Sequence, residues 1–227
     1  MSNENQNTAV IVPEKQELCN KSINLPAIQR GEAGAADYVS HLSAGDVKLL
    51  AIVAAKNKRH GQRDALLIKI VFDGALRISE ALALRPCDLE STLDGWLVHI
   101  LGKGPGGKPG TAAISANTAA EIQAFCYRKQ KIETSLIFDI SRSQAFRVIQ
   151  AAYNAAGIRQ PCQSRDHVGA VHVLRHSGAI VRLQLSGNPR AVQEQLRHKS
   201  ALMTLRYLKT ISHDEAMATQ QKVDVWQ

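Results

Sequence analysis

Two arginines, two histidines and a tyrosine stand in this chain in an order that suits one kind of chemistry. Arg77 lies in GALRISEAL, His172 and Arg175 in HVLRHS, His198 in QLRHKS, and Tyr207 follows nine positions later in TLRYLK. A planar guanidinium binds phosphate bidentately. Two of them can hold the non-bridging oxygens of a phosphodiester while charge develops in the transition state. His172 precedes Arg175 by one helical turn, so the two share a face. An imidazole within reach of a phenol can take its proton near neutral pH, and the phenol can then attack phosphorus. The covalent phosphotyrosine conserves the bond energy, so rejoining needs no ATP. The leaving oxygen needs a proton, and LGKGPGGKPG supplies two lysines, Lys103 and Lys108, for that task. The scheme calls for no metal and no cofactor.

Rival chemistries fit less well. His172 and His176 have the i, i+4 spacing of a zinc pair, but H-E-x-x-H is absent and no carboxylate lies nearby in sequence. His176 therefore reads as a packing and hydrogen-bonding residue below the site. GKGPGGK is not a phosphate-binding loop of the G-x-x-x-x-G-K-[ST] kind, because Pro109 follows Lys108. Cys19, Cys87, Cys126 and Cys162 are scattered without C-x-x-C and read as reduced thiols of a cytoplasmic protein. The apolar run ALLIKIVF is broken by Lys69 and too short to span a bilayer, and MSNENQNTAV has no signal-peptide pattern. No membrane partner is expected. A formal charge of +8 favours a polyanion. With only 4% aromatic residues the chain has no base-stacking platform, so double-stranded DNA suits it better than single strands.

The elements that must position these groups are mostly helical. Residues 1–41 are polar, interrupted by Pro13 and Pro26, and read as an unstructured tail and linker. Order is expected from Leu42, with Ser43 capping a first helix and Asp64 capping a second, which Gly74 ends. Arg77 then falls in a turn into a third helix, SEALAL, and turns are where scaffolds present functional side chains. Glu80 in that helix is expected to pair with a neighbouring basic group. GWLVHILGK and GTAAIS read as a hairpin around the glycine-rich loop, with one strand at 96–101. Helices are predicted at 116–130, at 142–156 closed by Gly157, through HVLRHSGAIVRLQLSG to Gly187, and at 190–196. A last helix, capped by Ser200, carries Tyr207.

The same motifs carry a family resemblance. GALRISEAL resembles the G-x-R-x-S-E-x-x-x-L segment of the tyrosine recombinases, or phage integrases. HVLRHS resembles their H-x-L-R-H-[ST], and QLRHKS their L-G-H-x-[SD], with Arg197 where the family has glycine. The resemblance implies a mainly α domain with a small antiparallel sheet (α+β), the tyrosine recombinase catalytic-domain fold, over residues 42–213. It implies catalytic roles for Arg77, Lys103, His172, Arg175, His198 and Tyr207. His172 would take the phenol's proton and His198 would hydrogen-bond the scissile phosphate. Lys103 matches the G-K-G that opens the family's hairpin and would protonate the leaving 5′-oxygen. The activity implied is site-specific recombination through a 3′-phosphotyrosyl link, by a homo-tetramer on paired DNA sites, with accessory DNA-bending proteins as candidate partners. Most relatives have a separate helical DNA-clamping domain before the catalytic one, and residues 1–41 are expected to be too few for it; in this the chain resembles the small fimbrial phase-variation invertases, which puts inversion or resolution beside phage integration. A type IB topoisomerase-like activity and a non-catalytic DNA-binding regulator are the alternatives. Residues 214–227, with Val223, Val225 and Trp226, read either as a segment that docks on a neighbouring subunit or as a loose tail. Arg197 must either accept a backbone conformation that suits glycine or lose the family's turn. It could also add a phosphate contact.

Overall fold

The computed structural model describes residues 39, 41–101, 109–159, 170–198, 200–211 and 221. Helix α1 (Ala44–Ala55) starts where the sequence predicts. The Ser43 hydroxyl accepts the Asp46 backbone N–H at 3.1 Å, and the Asp46 carboxylate accepts from the Ser43 backbone N–H in return. Helix α2 (Gly61–Asp73) begins one turn before the expected cap, and Asp64 instead pairs with Arg63 at 2.7 Å. Gly61 explains the early start. A Cβ there would lie 2.2 Å from the Ala55 carbonyl oxygen, so only glycine lets the first turn of α2 abut the end of α1. That is a tertiary fact with no local signature.

The buried face of α2, including Leu67, Ile68, Ile70 and Val71, forms the centre of the main core. Each such side chain contributes roughly 1.5–3 kcal/mol when removed from water. After the turn that holds Arg77 come α3 (Ile78–Ala83), a 3₁₀ turn (Pro86–Asp88) and three strands. Strands β1 (Leu89–Thr92), β2 (Gly95–Ile100) and β3 (Gly110–Ile114) form one antiparallel sheet in that order. The β2–β3 hairpin was expected, with Val98 opposite Ala112 and Ile100 opposite Gly110. Strand β1 was not. LEST is four residues long with its two central positions exposed, so it shows no apolar alternation and is defined by its partner β2.

Helices α4 (Ala116–Arg128) and α5 (Arg142–Ala156) start at Ser115 and Ser141, and Gly157 closes α5 at φ 66°. Helix α6 (Ala170–Ser186) crosses α2 at Gly178, where a Cβ would lie 1.9 Å from the Phe72 carbonyl oxygen. Its outer end faces a second, smaller core: Ala75, Ala179, Ile180, Leu183, Val192, Leu196 and Tyr207. Helices α7 (Pro189–Leu196) and α8 (Ala201–Thr210) close that core. Two polar brackets lock it to the sheet. Arg182 donates to the Asp73 carbonyl at 2.7 Å and the Ala113 carbonyl at 3.0 Å. The Gln195 amide donates to the carbonyls of Gly74 and Ala113 and accepts from the Ala113 N–H. No helix among the described residues is long and apolar enough to cross a membrane.

Candidate active site

The α2–α3 turn, α6 and α7 bring three arginines around one carboxylate. Arg77 is the residue before α3, extended at φ −69° and ψ 148°, so its side chain leaves the helix start toward solvent. Glu80 reaches back from the first turn of α3. It accepts the Arg77 backbone N–H and the Arg77 guanidinium, each at 2.7 Å. The same carboxylate takes Arg197 at 2.6 Å and a long contact from Arg175 at 3.5 Å. Burial pushes the Glu80 carboxyl up, but Arg197, Arg77 and Arg175 outweigh it and hold it below the usual carboxylate range.

Arg175 is buried and is fixed from two sides. It donates to the Ala75 carbonyl at 2.7 Å and the Leu196 carbonyl at 2.9 Å. Ala75 supplies its oxygen from a left-handed turn at φ 47°. Burial, then Arg77, lowers the guanidinium to about 10, so it stays charged near neutrality. Arg77 has a 44% exposed side chain and Arg175 a 4% exposed one. One guanidinium is therefore open to a ligand while the other is built into the wall behind it. Three cations against one carboxylate leave a local excess of positive charge that a phosphate would offset.

The second half of the site is made of rings. His172 and His176, one turn apart on α6, stack with centroids 6.0 Å apart. His198 lies nearly parallel to the Tyr207 ring, 6.1 Å away at 10°. The Tyr207 hydroxyl and His176 Nδ1 share a hydrogen bond of 2.7 Å, and Tyr207 is buried. Burial raises its phenol to about 12, against the opposing pull of Arg175 and Arg206. Burial and the neighbouring cations lower His176 and His198 to about 4 each, so both are neutral near pH 7. His172 is exposed, and desolvation, then Arg175, Arg77 and Arg142, lower its pKa as well. The neutral state leaves an imidazole nitrogen to accept from the phenol.

Arg77, His172, Arg175, His198 and Tyr207 thus converge, although 130 positions separate Arg77 from Tyr207 in sequence. Lys103 and Lys108 lie outside the described residues, as do Val223, Val225 and Trp226. One contact differs from the sequence reading, and one open alternative is decided. The phenol bonds to His176, not His172, because the second core seats Tyr207 one turn farther along α6. Its in-phase spacing from His172 was the signal available. Arg197 keeps the turn that glycine would make, at φ 55° and ψ 41°, and its charge goes to Glu80. Among the described residues no group of three His, Cys, Asp or Glu side chains could hold a metal ion.

Known proteins resemble this chain in sequence and in fold. The tyrosine recombinase XerC of Xanthomonas campestris is 33% identical over 149 residues, 65% of this chain and 44% of that protein. XerC of Pelobacter propionicus is 26% identical over 80% of this chain and 59% of its own. This chain thus spans about half the length of the curated relatives it matches. Among solved structures, the XerH site-specific recombinase bound to difH substrate has a TM-score of 0.62 at 23% identity, over 84% of this chain and 53% of that one. The catalytic domain of bacteriophage HP1 integrase has a TM-score of 0.59 at 20% identity, over 79% and 94%. These two likenesses establish the fold: mainly helical, with a small antiparallel sheet, as in tyrosine recombinase catalytic domains. Residues 42–213 match the Phage integrase family. The chain belongs to that family.

Proposed function

We propose that this chain is a site-specific DNA recombinase that breaks and rejoins strands through a 3′-phosphotyrosyl intermediate. The observation that carries the reading is the convergence of an open arginine, a buried arginine and a histidine-held phenol on one face. Arg77 and Arg175 bind the non-bridging oxygens of the scissile phosphate, and His198 adds a hydrogen bond. Tyr207 attacks phosphorus in line with the departing 5′-oxygen. Its proton enters the His172–His176 pair at His176 Nδ1, the atom already within hydrogen-bond distance of the phenol oxygen. Lys103 protonates the 5′-oxygen. The new phosphotyrosyl bond replaces the broken P–O5′ bond, and a 5′-hydroxyl from a partner strand reverses the step. The charge of +8 supports binding to a duplex. The XerH structures, described as pre-cleavage and post-cleavage complexes with difH substrates, support DNA as the partner. A homo-tetramer on paired sites, accessory DNA-bending proteins and a cytoplasmic setting complete the reading.

A nicked suicide duplex, whose short 5′-strand diffuses away after cleavage, tests it. The wild type accumulates a covalent adduct that survives EDTA. Tyr207→Phe binds the duplex and forms no adduct. An adduct formed by the Phe variant overturns the assignment.

A further inference from the structure

We propose that Arg197 is a positioning residue of the phosphate clamp: it ties Glu80, and through it Arg77, to the first residue of β3. The proposal rests on the recombinase reading and deepens it. The family motif has glycine at this place, and Arg197 occupies the glycine-like backbone region at φ 55°. A left-handed backbone is unfavourable for a residue that carries a Cβ. The side chain uses the direction that this turn gives it. One guanidinium nitrogen donates to Glu80 at 2.6 Å and the other to the Gln195 carbonyl at 3.0 Å. Its aliphatic stem lies over Gly110, where a Cβ would come 2.5 Å from Arg197 Cδ. Gly110 opens β3 and pairs with Ile100 at the neck of the hairpin. The end of α7, the start of α3 and the start of β3 therefore meet on one arginine.

Without Arg197, Glu80 keeps, among the described residues, Arg77 in front and the 3.5 Å contact to Arg175 behind. Arg77 is the more exposed guanidinium, and Glu80 is its ion-pair partner. A carboxylate released from behind no longer fixes the fork in front. Phosphate contacts made in the transition state tolerate only about 0.5 Å of misplacement. Arg197 is also the foremost of the charges that keep the Glu80 carboxyl ionised against its burial. With that charge gone, the carboxyl takes up a proton at a higher pH, and the activity that depends on its charge is lost earlier as pH falls.

The test compares Arg197→Gly, Arg197→Lys, Gly110→Ala and the Arg197→Gly/Gly110→Ala double variant. Single-turnover cleavage of the suicide duplex is followed at saturating DNA from pH 5 to 8. Glycine suits the turn, so Arg197→Gly folds. It should cleave about 10- to 100-fold more slowly, the size of effect expected when a supporting contact is lost. DNA affinity should change far less, and the acid limb of the rate profile should move to higher pH. Arg197→Lys should not restore the rate, because a single ammonium cannot bridge Glu80 and the Gln195 carbonyl as the fork does. Gly110→Ala should slow cleavage less than Arg197→Gly, and should add nothing in the Arg197→Gly background. Arg197→Gly that cleaves at the wild-type rate with an unmoved acid limb overturns the proposal, as does an additive Gly110→Ala effect. If the wild type cleaves no DNA, the recombinase reading fails by itself. The contact is then scored by a urea-unfolding cycle of Arg197→Gly with Glu80→Gln: coupling between the two supports it and additivity overturns it.

Discussion

At one end of the site, Arg175 is buried against the Ala75 and Leu196 carbonyls, and Glu80 holds Arg77 and Arg197 on either side. At the other end, a 2.7 Å hydrogen bond to His176 secures the Tyr207 hydroxyl. The first region is a polar network built on three elements and rich in positive charge. The second is a neutral stack of rings over a small apolar core. The difference suits the two tasks. A group that receives phosphate works best preorganised, since any rearrangement then adds to the barrier. A nucleophile that must form and break a covalent bond within one cycle needs a hold that can be released.

Apart from the nucleophile itself, the largest effect should come from the buried arginine. Arg175→Ala should lower cleavage by at least about 10³-fold, comparable to losing a preorganised transition-state donor. It should also lower stability by about 1–3 kcal/mol, because two buried carbonyls lose their partner. Urea unfolding and suicide-substrate kinetics measure the two quantities. Arg77→Ala should lower cleavage by about 10²–10³-fold yet leave the urea midpoint nearly unchanged, since its ion pair is half exposed. If both variants lose equal stability, the contrast between an open and a walled-in arginine is wrong.

The histidines beside the tyrosine should respond more mildly. His176→Asn should slow adduct formation by about 10- to 100-fold, within the range of general-base effects. His172→Asn should match it if the proton passes through both rings. A His176 variant with wild-type kinetics would leave the hydrogen bond as a packing detail. For Lys103, a 5′-bridging phosphorothioate gives a leaving group that departs without protonation, so Lys103→Ala should regain cleavage on it while Arg77→Ala should not. Rescue of Lys108→Ala instead would move that role along the hairpin.

The smallest effect is a pH dependence of stability. His176 and His198 are lowered from 6.5 to about 4 in the folded chain. Between those values the unfolded chain binds more protons, so stability rises with pH and is lost as pH falls below 6.5. The urea midpoint should therefore decline between pH 6.5 and 5, and the decline should be shallower in His176→Asn.

Local signals in the sequence carried much of the scaffold. Ser43 and Ser200 cap helices where expected, the helices predicted from 116 and 142 start there behind Ser115 and Ser141, and Gly157 closes α5. Arg77, His172, Arg175, His198 and Tyr207 were legible as a set because each sits in a short motif. What stayed hidden depends on distant partners. Gly61 starts α2 early only because Ala55 lies beside it, and β1 exists only because β2 pairs with it. The departure at Arg197 was visible, but Glu80 is 117 positions away and Gly110 gives no sign of what it accommodates. His176 read as a structural residue because nothing local shows where Tyr207 will be seated.

The central claim is that Tyr207, held at the neutral end of the site, becomes covalently joined to phosphate bound at the charged end. Digesting the trapped adduct with protease and nuclease and sequencing the modified peptide by mass spectrometry tests this directly. The nucleotide should be on Tyr207 in TLRYLK, linked through its 3′-phosphate, with a free 5′-hydroxyl on the released strand. A nucleotide on another residue, or a 5′-phosphate on the released strand, would contradict the account.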